Sequence, residues 1–339
     1  MHTLHTHNAN AVLLPLLADL APDAAEREFL EQGGVSVVLA TTGEEYAARR
    51  VSAERIASEH WWDVAAATAH LREIGGPGTL IGVDAEPTGV QRLSHLLPAL
   101  PPLVEALELS DRELRERYTA YAEGARRLGI NLFLAPVVDE ITGTNEWLNG
   151  RTLSHDQDTV ERIAGAYINA CADVSVAATV KHYPGYSHLD AHPVQHDIEL
   201  HTSLDELERQ EIPFSRLVRR NVPALMLGPA TVVALDPSEP PATSPRVMSR
   251  VRQHLGFPGI IITDDLDAAS TMRGRSIGDT AVASVRAGAD LLLIAGGEEI
   301  REVSDALQHE ATRDGEFGVL LSRTAHRVRS FAERWAIRH

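Results

Sequence analysis

The chain contains a single cysteine, Cys171, so no internal disulfide can form. The residue lies in a stretch of helical periodicity, Ile163 to Val174, where a small buried hydrophobe is the expected role. Runs of Lys and Arg long enough to follow a phosphate backbone are missing. With 48 acidic against 31 basic residues the formal net charge is −17, which argues against nucleic acid and anionic membrane surfaces as partners. No apolar window reaches the length of a membrane span, and Met1 to Asn10 has neither the basic start nor the apolar centre of a signal peptide. The expected location is cytoplasmic. No Gly-x-Gly-x-x-Gly follows an apolar run, which weighs against a dinucleotide site. Neither cofactor nor metal is expected.

What is present is an ordinary balance of 44% hydrophobic and 23% charged residues, enough for a large core, arranged as alternating apolar runs and amphipathic stretches. Ala11–Leu17, Val35–Ala40, Thr79–Val83, Asn131–Val138, Ala177–Lys181, Ala224–Leu227, Gly259–Thr263 and Asp290–Ala295 read as strands; Pro15 would favour an edge or a strand end for the first. Between them, Pro22–Gln32, Trp61–Ile74, Asp111–Leu128, His155–Val174, Leu204–Arg220 and Ile277–Ala287 have helical spacing, and Ser244-Pro245 opens a further helix as an N-cap with proline in the first turn. The remainder to His339 also reads as helical. Strict alternation with strands apolar on both faces predicts a parallel sheet. Eight units in about 300 residues predict an α/β fold closed as a (β/α)8 TIM-type barrel. No linker divides the chain, so residues 1–339 form one expected domain, with 1–10 expected to be flexible.

In such a barrel the chemistry gathers where strands end. Asp84, Asp139, Lys181-His182 and Asp264 each close a predicted strand and should converge on one mouth. Each carboxylate alone could equally be a helix cap, but a packed core has no use for a lysine, a histidine and three carboxylates together. Asp264 and Asp265 are adjacent, and in strand geometry only one of them can face the mouth. Asp190-Ala191-His192 is more specific: residues two apart in an extended segment share a side, so the carboxylate can hold one ring nitrogen and leave the other free for proton transfer. Among sixteen histidines, a chance Asp-x-His on a surface loop is the competing reading.

These motifs resemble glycoside hydrolase family 3, and within it the single-domain bacterial β-N-acetylglucosaminidases (β-N-acetylhexosaminidases). Lys181-His182-Tyr183-Pro184-Gly185 is similar to that group's Lys-His-Phe-Pro-Gly, and Asp190-Ala191-His192 to its Asp-Ser-His. Leu255 to Leu266, LGFPGIIITDDL, is similar to its segment ending Ser-Asp-Asp-Leu. Val83-Asp84-Ala85-Glu86, Val90-Gln91-Arg92, Ala135-Pro136-Val137-Val138-Asp139 and Gly150-Arg151-Thr152 also resemble family segments. The resemblance implies a retaining exo-glycosidase acting on terminal β-linked N-acetylhexosamine (GlcNAc) of a small carbohydrate or glycoconjugate, in carbohydrate metabolism. Asp264 would be the nucleophile, and His192, held by Asp190, the acid and base. Asp84, Arg92, Arg151, Lys181 and His182 would bind sugar hydroxyls.

The chain departs from the family pattern at Gly185-Tyr186-Ser187 in place of Gly-His-Gly, at Pro87-Thr88-Gly89 in place of Gly-Gly-Arg, at Gly228-Pro229 in place of Ala-His, and in a loop before Asp190 shorter by about two residues, as judged by motif register. These changes bear on the sugar or the acceptor, with phosphate as an alternative to water. Three other readings compete. His5-Thr6-His7 imitates the paired histidines of a metal-dependent barrel amidohydrolase. Lys181 could be a Schiff-base lysine. A sugar-binding protein on a degraded glycosidase barrel needs no turnover at all. The oligomeric state is not set by these residues.

Overall fold

The computed structural model describes residues 2–337. Eight strands form one parallel sheet: β1 (Leu13–Leu17), β2 (Ser36–Leu39), β3 (Leu80–Val83), β4 (Leu132–Phe133), β5 (Ala177–Tyr183), β7 (Ala224–Leu227), β9 (Ile260–Ile262) and β10 (Leu292–Ala295). Two short strands, β6 (Glu199–Leu200) and β8 (Thr231–Val232), pair separately. The order β10-β1-β2-β3-β4-β5-β7-β9 is the chain order wrapped around a cylinder. Its ends meet at the Ile262–Leu291 parallel bridge, where Thr263 N–H donates to Leu291 O and Leu293 N–H to Thr263 Oγ1, both at 3.0 Å. The fold is the (β/α)8 barrel.

The two-residue period of the strands divides the core. Leu14, Val38, Leu80, Leu132, Ala224 and Ile260 fill the barrel interior, while their neighbours Leu13, Val37, Ile81, Phe133, Leu225 and Ile261 pack outward against the helices. Phe331 and Trp335, at the end of the helix Gly315–Arg334, join the interior cluster. Trp335 O accepts from Asn131 Nδ2 at 3.1 Å, at the start of β4. The opposite end, where the strands finish, is left to polar side chains.

Three expectations change. Residues 2–11 are not a flexible arm: His2–Ala11 is a helix packed on the helices Glu298–Arg313 and Gly315–Arg334. Asn10 Oδ1 accepts from Ser304 Oγ at 2.6 Å, and Arg329 donates to Asn8 Oδ1 and to the His7 carbonyl at 3.0 and 2.6 Å. β1 is not an edge, because it pairs with β10 and β2 alike. The Leu13 and Leu17 carbonyls are taken from the β2 side by Ser36 Oγ and Ala40 N–H. Pro15, in phase with them, turns its missing donor toward β2, where the register begins only at Leu16. The helix expected over Leu204–Arg220 is two, Leu204–Gln210 and Ile212–Arg219, with Pro213 in the first turn of the second.

Candidate active site

A cavity of about 520 Å³ opens at the carboxyl ends of the strands. β3 leads into Asp84 and Glu86. Glu86 is fully buried and held by Val90 N–H at 3.0 Å; a Cβ at Gly89 would lie 1.9 Å from its Oε2, so this turn requires glycine. β5 supplies Lys181 and His182. The β5–β7 pairing shifts register between Val180 and Tyr183, which breaks the alternation there, and both consecutive side chains line the cavity. The strand end after β9 gives Asp264 and Asp265, and the turn Asn145–Gly150 gives Glu146, Trp147 and, one residue on, Arg151.

Charge at the cavity floor is arranged in pairs. Lys181 Nζ lies 3.0 Å from Asp84 Oδ1 and 2.8 Å from Glu86 Oε1. Arg151 meets Glu86 in a fork, Nε–Oε2 at 3.0 Å and Nη2–Oε1 at 2.6 Å, and stands over the rings of Tyr46 and Trp147. Burial acts to raise Glu86, yet the charges of Arg151 and Lys181 outweigh it and hold the carboxyl down at about 2. Burial likewise opposes the charge of Lys181, and Asp84 and Glu86 reverse it, keeping the amine above its usual range. The lysine is therefore an ammonium donor, unsuited to a Schiff base, which needs the free amine.

His182 is fixed by Asp139: Nδ1 lies 2.9 Å from Oδ2, which also accepts the His182 backbone N–H at 2.8 Å, while Oδ1 accepts Tyr186 N–H at 3.0 Å. The Trp147 ring packs on the imidazole with centroids 4.4 Å apart. Burial, together with the positive charges of Arg151 and Lys181, holds His182 well below its ordinary value, so the ring is uncharged at neutral pH. Its Nε2 faces Asp264 Oδ2 at 3.9 Å.

Asp264 is open on one side. Its Oδ1 accepts Asp265 N–H at 2.8 Å, but buried Oδ2 has no hydrogen-bond partner. Burial pushes the group up to about 6, against the pull of Asp265 N–H, Lys181 and Arg151. Asp265 is driven up further, by burial and by the charge of Asp264. Both side chains line the cavity, contrary to the expectation that only one can. β9 ends at Ile262, so residues 264 and 265 no longer alternate as in a strand.

Two expected site residues are not brought to the cavity. Arg92 is buried elsewhere, its Nη1 and Nη2 on Glu59 at 2.6 and 2.5 Å and its Nε on Ala40 O at 2.9 Å. Glu59, from the long connection after β2, satisfies the guanidinium before a sugar could. Asp190 is exposed and faces a separate depression with Asp197, Glu199, His201 and Arg273. His192 does line the cavity, half-buried, with Nδ1 receiving Val194 N–H at 3.4 Å. Asp84, Arg151, Lys181, His182, His192 and Asp264 thus share one space. Glu86, Tyr46, Glu146 and Trp147 were not anticipated. Glu86 was within sight, two residues past Asp84 in the segment that resembles the family's; the others follow from long connections that carry no strand signal.

The altered glycine positions form a matched set. Tyr186 is fully buried, with its hydroxyl on Ala230 O at 2.8 Å, and a Cβ at Gly228 would lie 2.0 Å from its ring. A tyrosine at 186 thus requires glycine at 228. Thr88 Oγ1 donates to Arg151 O at 2.6 Å, tying the Pro87-Thr88-Gly89 turn to the arginine. His5 and His7 lie on the helix before β1, at the end of the barrel opposite the mouth. Among the described residues no group of three or more His, Cys, Asp or Glu side chains is placed to hold a metal ion.

A closed parallel barrel whose carboxyl-end mouth holds an unpartnered carboxylate among fixed donors defines a barrel enzyme acting on a small polar substrate. The chain belongs to glycosyl hydrolase family 3, whose N-terminal domain model matches residues 10–317. A beta-hexosaminidase of Stenotrophomonas maltophilia is 31% identical over 255 residues, 71% of this chain and 74% of that protein. A β-N-acetylhexosaminidase structure from Beutenbergia cavernae is similar with a TM-score of 0.82 at 20% identity, over 97% of this chain and 98% of that one. A glycoside hydrolase family 3 β-N-acetylglucosaminidase from Paenibacillus gives 0.83 at 24% identity over 97% of this chain, which spans 62% of the longer protein. At these identities the structural likeness speaks to the fold.

Proposed function

We propose that the protein is a retaining exo-glycosidase that removes terminal β-linked N-acetylhexosamine through a covalent glycosyl-enzyme. The observation that carries this reading is Asp264 Oδ2, buried without a partner beside His182 Nε2, in a cavity that also holds His192. In the first step Asp264 Oδ2 bonds to the anomeric carbon while the glycosidic C–O bond breaks, its electron pair leaving with the oxygen, which takes a proton from His192. In the second, water attacks the anomeric carbon, His192 takes its proton, and Asp264 leaves as carboxylate.

The remaining groups bind and orient. Lys181, fixed by two carboxylates, and Arg151, fixed by Glu86, are rigid donors for sugar hydroxyls, and the free edge of Asp84 is an acceptor. His182, uncharged and locked through Asp139, presents Nε2 to a hydroxyl next to the anomeric carbon. The names of the beta-hexosaminidase and β-N-acetylhexosaminidase relatives support N-acetylhexosamine as the glycone, and that of the Paenibacillus β-N-acetylglucosaminidase supports N-acetylglucosamine.

The test is release of nitrophenol from a panel of aryl β-glycosides, led by the N-acetylglucosaminide, by the intact protein and by Asp264→Asn. Turnover of that sugar, abolished by the substitution, is expected. Turnover that persists in Asp264→Asn removes the nucleophile assignment, and a sugar 1-phosphate formed in phosphate buffer makes phosphate the acceptor.

A further inference from the structure

The connection between β2 and the helix Trp61–Gly75 builds one wall of the cavity: residues 40–43, 46, 47 and 49 all line it. The wall is stiff. Buried Glu45, on the short helix Gly43–Ala48, accepts Thr42 N–H at 3.0 Å, Ser52 N–H at 2.9 Å and Arg55 Nε at 2.9 Å. The helix ends at Arg49, whose φ of 53° is left-handed. Glycine is favoured at such a position, so the chain keeps an arginine side chain there despite backbone strain.

Three long cationic side chains line the cavity, Arg49, Arg151 and Lys181. Lys181 is held by Asp84 and Glu86, and Arg151 by Glu86. The half-buried Arg49 guanidinium makes no hydrogen bond or ion pair with any described residue. Its Nη1 packs on Gly150, where a Cβ would lie 2.5 Å away, so the glycine leaves room for it. Arg49 also stands far from the nucleophile along the contacts of the site. Asp264 faces His182 Nε2 at 3.9 Å, and Lys181 precedes His182. Glu86 Oε1 joins Lys181 to Arg151 at 2.8 and 2.6 Å, and Arg151 lies 5.3 Å from the ring of Tyr46 and directly after Gly150. Arg49 comes last, past the donors for the sugar hydroxyls.

We propose that Arg49 recognises an anionic ester, a sulfate or phosphate, carried by the glycone at O4 or O6, the hydroxyls remote from the anomeric carbon. The planar fork of a guanidinium matches two oxygens of such a group in parallel hydrogen bonds, and partial burial limits screening by salt. This rests on the reading of Asp264 as nucleophile, which fixes the end of the cavity where the anomeric carbon lies.

The experiment measures binding by calorimetry to the full chain carrying Asp264→Asn, alone and combined with Arg49→Gln, Arg49→Lys or Arg50→Gln. The probes are N-acetylglucosamine and its 4-O-sulfate, 6-O-sulfate and 6-phosphate. With Asp264 intact, kcat/KM is compared for aryl N-acetyl-β-glucosaminides with and without the 6-O-sulfate and for one whose aryl group bears a carboxylate. At least one anionic sugar is expected to bind about tenfold tighter than the plain sugar, the scale of one charge-assisted hydrogen bond. Arg49→Gln should remove that advantage and Arg49→Lys keep part of it. Arg50→Gln, which takes the same charge from an exposed neighbour outside the cavity lining, should preserve it. No advantage for any anionic sugar, or one that survives Arg49→Gln, overturns the proposal. An equal loss in Arg50→Gln does the same, since it would reduce the effect to the general field of the surface. A gain that depends on Arg49 only for the carboxylated aryl group places the anion on the leaving group and removes the glycone assignment. Arg49-dependent binding in a protein that cleaves no glycoside would leave the subsite standing and overturn the glycosidase reading instead.

Discussion

At the scale of single residues, the cavity sets the two groups of the proposed mechanism against each other. Asp264 must be ionised to attack, and burial holds it up at about 6. His192 must be protonated to act as acid, and burial with the charge of Arg151 holds it below its usual 6.5. Only molecules with Asp264 ionised and His192 protonated are active, so one limb of kcat/KM should lie near pH 6, a macroscopic value shared with Asp265, and activity should already decline through neutral pH as His192 loses its proton. The expected profile is a narrow bell with its maximum on the acid side of neutrality, read from initial rates on an aryl N-acetyl-β-glucosaminide. A plateau extending to pH 8 would show that His192 holds its proton far more strongly than this environment allows. Glu86 plays the opposite part: it is buried but overcompensated by two cations, so it stays charged and keeps Lys181 and Arg151 as rigid donors.

At the scale of elements, the loops after β5 and β7 are coupled through Tyr186 and Gly228. A methyl group at 228 meets the tyrosine ring at 2.0 Å, and overpacking of this kind costs about 1–3 kcal/mol. Removing the ring leaves a void beneath Ala230, and large-to-small changes of an aromatic cost about 3–5 kcal/mol. Because one change fills the space that the other vacates, Gly228→Ala and Tyr186→Ala should be non-additive by more than about 1 kcal/mol, with the double variant less destabilised than the sum. Chemical denaturation of the four proteins measures this cycle; additive losses would mean that the two positions do not share the space. The same logic explains how this chain lacks the family's histidine in both loops and still closes the barrel mouth: the phenol occupies the volume and satisfies the Ala230 carbonyl.

At the scale of the whole molecule, the helix His2–Ala11 belongs to the folded unit. It supplies partners to Ser304, Gln308 and Arg329 from helices about 300 residues away in sequence. Deleting residues 2–10 should lower stability by about 2 kcal/mol or more, since it strands buried polar groups at roughly 1–3 kcal/mol each, while the mouth, at the other end of the barrel, keeps its geometry. Thermal denaturation and kcat on the same preparation separate the two effects. A truncated protein as stable as the full chain would return these residues to the flexible arm that their sequence suggests.

The sequence by itself determined the barrel and most of its mouth. Apolar runs ending in Asp84, Lys181-His182 and Asp264 carry both the strand period and the position of the chemistry, because a parallel strand buried on both faces has to place its first polar residue where the sheet ends. Resemblance to known motifs added the roles, and Asp84, Arg151, Lys181, His182, His192 and Asp264 do meet in one cavity. Only the tertiary structure decided which charged groups were free to act. Arg92 is claimed by Glu59 and Asp190 is held outward by anchors on residues 144 and 269. Glu146 reaches the cavity from a connection with no periodic signal. The reason is physical: local sequence fixes where a side chain leaves the backbone, but a charge is neutralised by whatever partner lies within a few ångströms, and those partners come from segments tens to hundreds of residues away.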